Sequence, residues 1–169
     1  ILGGIYSNDS GKIVLNENHI QLKSPNDAAK NGISFIHQDL LYFASQTVAE
    51  NIFMTDLPKN EFIPLFISKS KLIANASNVL DMLGSDINPS SLIEELSTGE
   101  KQIIEIARAL AAGSDIVIFD EPTSSLSIKE KEKLFKVVRK LKYENKIIIY
   151  ISHFLNEIQE LCDTYVVLR

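Results

Sequence analysis

The chain has 169 residues, a net charge of −5 and a single cysteine. That length fits one domain able to bury a core without disulfide or metal staples. Acidic and basic residues are mixed along it, which argues against nucleic-acid backbone binding as the main task, since that task gathers basic residues on one face. No apolar run approaches the roughly 20 residues that cross a bilayer. Cys162 has no internal partner, a reducing cytoplasm is the simple reading, and its place in an apolar helical stripe makes it a core residue. The start, Ile1-Leu2-Gly3-Gly4, shows neither an initiator Met nor a signal-peptide layout. The apolar run 165–168 stops at Arg169, and both ends are expected to be cuts inside a fold.

The first elements form a β piece. Ile13-Val14-Leu15, a turn at Asn16-Glu17-Asn18, and 19–22 predict a hairpin. Ser24-Pro25 predicts a short helix, as N-cap and first-turn proline, that Gly32 closes. Residues 33–36 are a short apolar strand ending at His37-Gln38. Thr47 and Glu50 have capping-box spacing, so a helix starts there and runs to about Met54. Residues 56–68 read as irregular. Leu72, Ile73, Ala76, Val79, Leu80 and Leu83 recur at helical spacing until Gly84. A loop over 85–93 contains Pro89.

Ser97 and Glu100 repeat the capping box, and Ile103, Ile106, Ala107, Leu110 and Ala111 share one face of a helix that Gly113 ends. The run 116–119 reads as a strand buried on both faces, and Ile147–Ile151 as a second. Leu134, Val137, Val138 and Leu141 mark the helix between them. Leu155, Ile158 and Leu161 mark another, and 165–168 a last strand. From residue 97 helices and strands alternate, which predicts an α/β fold: a mainly parallel sheet flanked by helices on both faces. Residues 47–96 are mostly helical and read as an insertion. The expected division is a partial β and sheet subdomain at 1–46, the helical insertion at 47–96, with its last helix continuing to 112, and the sheet core at 97–169.

The strongest chemical clue is Asp120-Glu121-Pro122-Thr123 at the end of the 116–119 strand. In open α/β folds ligands sit at the C-terminal edge of the sheet. Neighbouring side chains leaving a strand point in different directions, so one carboxylate can serve Mg²⁺ and the next an attacking water, as phosphoryl transfer to water requires. The same residues could also be an idle, solvated turn. The Ile147–Ile151 strand ends in Ser152-His153, and a parallel neighbour would bring His153 to the same edge, where it could donate to a phosphate. Gln38 follows a strand too, and an amide suits a water or Mg²⁺ ligand shell, although loop glutamines are mostly solvated. The helix start at Ser97-Thr98-Gly99-Glu100 offers free N–H groups and a positive helix end to an anion. A plain capping box accounts equally well for Ser97 and Glu100. Gly11-Lys12 is a decoy: the phosphate-binding loop needs Gly, four residues, then Gly-Lys-Ser/Thr, whereas six residues separate Gly4 from Gly11 and Ile13 follows the lysine. Asn8-Asp9-Ser10-Gly11 reads as a turn.

Taken in order, Gln38, Leu96-Ser97-Thr98-Gly99-Glu100, Asp120-Glu121, Ser124-Ser125-Leu126-Ser127 and His153 resemble the loop glutamine, signature, Walker B, D-loop and switch histidine of ABC transporter nucleotide-binding domains. The resemblance covers essentially the whole chain. Finer detail, such as Ser24-Pro25-Asn26-Asp27-Ala28, His37-Gln38-Asp39-Leu40 and Tyr150-Ile151-Ser152-His153, is similar to the first of the two tandem domains of simple-sugar importers.

The resemblance implies a P-loop NTPase-type fold and a cytoplasmic ATPase on the inner face of the membrane, powering import of a small solute. Its cofactors would be ATP and Mg²⁺. Asp120 would hold Mg²⁺, Glu121 would be the general base, Gln38 would sense Mg²⁺ and the γ-phosphate, and His153 would contact that phosphate. Ser97, Thr98, Gly99, Glu100 and Ser127 would face the ATP of a partner domain. Expected partners are a second ABC domain, transmembrane permease subunits and, indirectly, a solute-binding protein, with no nucleic acid. A non-transport ABC ATPase, acting on DNA or ribosomes, and a non-catalytic partner domain are the alternatives. The family's Gly-rich Lys-Ser/Thr loop should precede Ile1, so residues 1–169 alone are expected not to turn over ATP. Thr98 and Glu100 also depart from the usual Gly and Gln of the signature.

Overall fold

The computed structural model describes residues 1–37, 42–54 and 68–168. The expectations placed on Gln38, Asp39 and Leu40, and on the stretch 56–67, fall outside the described residues.

The N-terminal part opens with the hairpin of β1 (Ile13–Leu15) and β2 (Asn18–Ile20), paired antiparallel as Ile13↔Ile20 and Leu15↔Asn18. Asn16 and Glu17 take φ of 49° and 66°, the two positive values that a type I′ connection demands and that match the twist of the strands. The Asn8 amide donates to Ser10 O and Gly11 O, so that segment is a turn, as its composition suggests. Helix α1 (Pro25–Lys30) follows, with Ser24 Oγ accepting from the Asp27 N–H and proline in the first turn.

The central sheet has the order β3 (Ile33–Ile36), β4 (Ile116–Asp120), β5 (Ile147–Ile151), with all neighbours parallel. Register pairs Ile36 with Phe119 and Asp120 with Ile151, so the three C-terminal ends share one rim. Between β3 and β4 lie α2 (Val48–Ile52), α3 (Lys69–Leu83), a 3-10 turn (Ile93–Glu95) and α4 (Thr98–Ala111). Helix α3 ends at Gly84, whose φ of 68° lets the chain turn left-handed without a Cβ clash. Helices α5 (Ile128–Tyr143) and α6 (Leu155–Leu161) flank β5 in sequence.

Two apolar layers sandwich β4. Val117 and Phe119, both fully buried, meet the helical side, packed among Ile36, Ile52, Ile106, Leu134 and Leu141. Ile118 points the other way, onto Leu22, Ala28 and Ile33. This alternation is the strand period of two. The second face is covered by α1 and the hairpin rather than by full-length helices.

Three sequence expectations are corrected. β5 is not buried on both faces: Ile147 and Ile151 are 55% and 44% exposed, because β5 has a paired neighbour on one side only among the described residues. Residues 165–168 form no strand; they are exposed, and no described strand lies alongside to share their backbone hydrogen bonds. In α6 the buried positions are Glu157 and Leu161, while Leu155 is exposed, so the helix is turned from the face its apolar residues suggest. Cys162 packs partly buried against the main core, and burial pushes its thiol pKa up.

Candidate functional site

The rim at the ends of β4 and β5 carries Asp120, Glu121 and His153. β4 carries the chain through the buried Phe119 to Asp120, which is partly buried. Glu121 then adopts φ 47°. A non-glycine residue in this left-handed region is uncommon, and such backbone is held only where the surroundings impose it. The imposing contact is visible: the Glu121 N–H donates to Ile151 O at 3.0 Å, one step beyond the last register pair, and Ser124 N–H donates back to Glu121 O at 3.3 Å. The strand pairing thus holds the Glu121 backbone at the rim.

His153 reaches Glu121 from the neighbouring strand end. Its Nδ1 lies 3.1 Å from Glu121 Oε1, and both side chains remain partly open to solvent. The His153 ring packs on Phe154, with centroids 3.9 Å apart. Among the described residues nothing engages the Asp120 carboxylate. His37, at the end of β3, stacks on Phe35 with centroids 4.7 Å apart.

A buried network lies behind this pair, and sequence reading did not single it out. Glu157, 1% exposed, accepts from Thr123 Oγ1 at 2.8 and 2.9 Å, Tyr150 Oη at 2.9 Å and Ser152 Oγ at 3.0 Å, and pairs with Lys131 Nζ at 2.7 Å. Burial alone would raise its carboxyl pKa; the bonds from Lys131 and the three hydroxyls outweigh burial and hold it below the ordinary value. The Tyr150 phenol is pushed up, by burial first and then by donating to Glu157.

Ser97, Thr98, Gly99, Glu100 and Ser127 form a second group. Ser97 caps α4: its Oγ accepts from the Glu100 N–H at 3.3 Å, and Glu100 Oε2 accepts from the Ser97 N–H at 2.9 Å. Ser127 caps α5 in the same way, with Glu130 as the third helical residue. Glu130 also reaches across to α4, accepting from the Gly99 N–H at 3.0 Å. Two of the first three N–H groups of α4 are therefore taken, that of Glu100 by Ser97 and that of Gly99 by Glu130. Hydrogen bonds from the Ser127 side chain, the Ser127 backbone and the Gly99 backbone hold the Glu130 pKa at about 2. Gly99 is buried where a Cβ would lie 2.7 Å from Glu130 Cγ and 2.8 Å from its Cβ, so only glycine fits without displacing α5.

A parallel sheet with a strand-end carboxylate pair and a rim histidine makes this an α/β domain, and the chain belongs to the ABC transporter family, whose model matches residues 1–124. Among curated proteins it is 43% identical over 171 residues to the ribose import ATP-binding protein RbsA of Caldanaerobacter subterraneus subsp. tengcongensis, with all of this chain and 34% of that protein aligned. It is 41% identical over 169 residues to RbsA of Clostridium perfringens (strain SM101 / Type A), again covering all of this chain and 34% of the relative. The chain thus spans about a third of the length of these relatives. A solved nucleotide-free ATP-binding cassette from an ABC transporter aligns with TM-score 0.77 at 22% identity, covering 96% of this chain and 67% of that one. The ADP form of another such cassette aligns with TM-score 0.75 at 23% identity, over 95% and 66%. These structures share the fold.

Proposed function

We propose that the chain is part of an ATPase that powers import of a small solute, a simple sugar, across the cell membrane from its inner face. The observation that carries this reading is the contact between Glu121 and His153 on the C-terminal rim of a parallel sheet. The names of the similar proteins support the ribose-type solute and the importer role.

In this reading Glu121 takes the proton of a water whose oxygen forms a bond to the γ-phosphorus, while the bond from that phosphorus to the bridging oxygen breaks and ADP leaves. His153, donating from an imidazole N–H, orients Glu121 or the phosphate. Asp120 is the Mg²⁺ ligand. Magnesium keeps much of its water and takes one or two carboxylates plus substrate phosphates, and a strand-end carboxylate engaged by no other described group fits that need. The ion supplies charge neutralisation at the phosphates when bound. Gln38 is assigned the sensing of Mg²⁺ and γ-phosphate by resemblance to the family.

Ser97, Thr98, Gly99, Glu100 and Ser127 face the ATP of a second ABC domain. A phosphate arriving there meets the Glu130 carboxylate and must share or displace its bond to Gly99. The divisions are 1–46 as the partial β and sheet part, 47–96 as the helical part facing permease subunits, and 97–169 as the core, with a solute-binding protein supplying the cargo.

The test is steady-state ATP hydrolysis by the full-length protein. Glu121→Gln keeps the shape and removes the base, and turnover is expected to fall by about 10² to 10⁴. Unchanged turnover would sink the assignment.

A further inference from the structure

Among the described residues Glu157 alone is a buried carboxylate, and its four partners come from three separate segments. Thr123 lies two residues after Glu121 in the turn that leaves β4. Ser152 immediately precedes His153, and its Oγ also accepts from the Phe154 N–H at 3.1 Å. Tyr150 belongs to β5. Lys131 comes from α5, and its ammonium, besides pairing with Glu157, lies 5.7 Å from the centre of the Phe154 ring that packs on His153.

One carboxylate therefore touches the turn of Glu121 once and the turn of His153 by two routes, through Ser152 and through Lys131 with Phe154. We propose that Glu157 is a positioning residue for hydrolysis: it sets the separation of Glu121 and His153 by tying both strand-end turns to α5 and α6. The proposal rests on the ATPase reading and adds a group that itself touches neither nucleotide nor water.

The physical reason is geometric. The Glu121 backbone stands in an uncommon conformation and both rim side chains are partly exposed, so neither holds its place by packing alone. A buried anion with four donors permits little displacement of any of them, since each lost bond leaves a polar group unsatisfied in the interior. A rim held in this way meets the sub-ångström tolerance of a general base, for which misplacement by about 1 Å costs on the order of 100-fold.

The experiment measures kcat and KM for ATP in the full-length protein. Glu157→Gln keeps the size of the side chain and one acceptor oxygen and removes the charge paired with Lys131. Thr123→Val removes only the hydroxyl that links Glu157 to the Glu121 turn, and serves if Glu157→Gln folds poorly. Both are expected to lower kcat by about 10- to 100-fold with KM within about twofold of the parent. The double variant is expected to be no slower than Glu157→Gln alone, because both cut one linkage. A kcat loss that only follows the folded fraction, a rise in KM at constant kcat, or additive losses overturns the proposal. If the parent hydrolyses ATP and both variants match it, the proposal alone fails; a parent without turnover overturns the ATPase reading together with it.

Discussion

The carboxylate of Glu130 joins two helix starts, accepting at 3.0 Å from both the Gly99 and the Ser127 N–H groups. Its pKa in the fold is about 2, below the ordinary 4.5, so the linkage sign is that of a depressed carboxylate. The stabilisation is complete above the unfolded pKa and is lost as the pH falls from 4.5 through about 2. The Gly99 amide proton, followed by NMR, is expected to titrate with a midpoint near the value for Glu130; a midpoint near that of a free glutamate would show that the bond across the helices does not form. Sequence reading found the Ser97/Glu100 capping box because both members lie three residues apart. It missed the reach of Glu130 to Gly99, across 31 residues of sequence, because nothing local encodes a contact between different helices. It missed Glu157 for a related reason, although one signal was present: Glu157 lies four residues before the buried Leu161, on the inward side of a short helix.

At the scale of elements, the three boxes Thr47/Glu50, Ser97/Glu100 and Ser127/Glu130 start α2, α4 and α5, each closing both reciprocal bonds. The first two are marked in the sequence, where side chain and backbone partners are neighbours; the Ser127/Glu130 box has the same spacing and was missed there. At Gly99 the start of α4 comes close against α5. Gly99→Ala places a methyl group against the root of the Glu130 side chain, which cannot swing away as its tip could. The substitution is expected to destabilise by about 1–3 kcal/mol through overpacking, despite the better helix propensity of alanine. Urea unfolding of the two forms checks this; equal stability would mean that the two helix starts are not in close contact.

For the whole molecule, the order β3-β4-β5 with α5 crossing from one parallel strand to the next is what puts Asp120, Glu121 and His153 on one rim. The alternation of helix and apolar run from residue 97 was sufficient to expect that rim, since parallel pairing makes neighbouring strands end together. Exposure was harder to read. A run such as Ile147–Ile151 reads as fully buried, yet burial depends on how many neighbours the sheet supplies, and an apolar run like 165–168 becomes a strand only where a partner edge is available. In the proposed ATPase reading, two parallel strands make one reacting unit of Glu121 and His153. A double-mutant cycle on ATP turnover by the full-length protein tests it most directly. Glu121→Gln and His153→Ala are each expected to slow hydrolysis strongly, and the double variant to be about as slow as the slower single one. Losses that simply multiply would contradict the claim, because they would mean that the two side chains act independently.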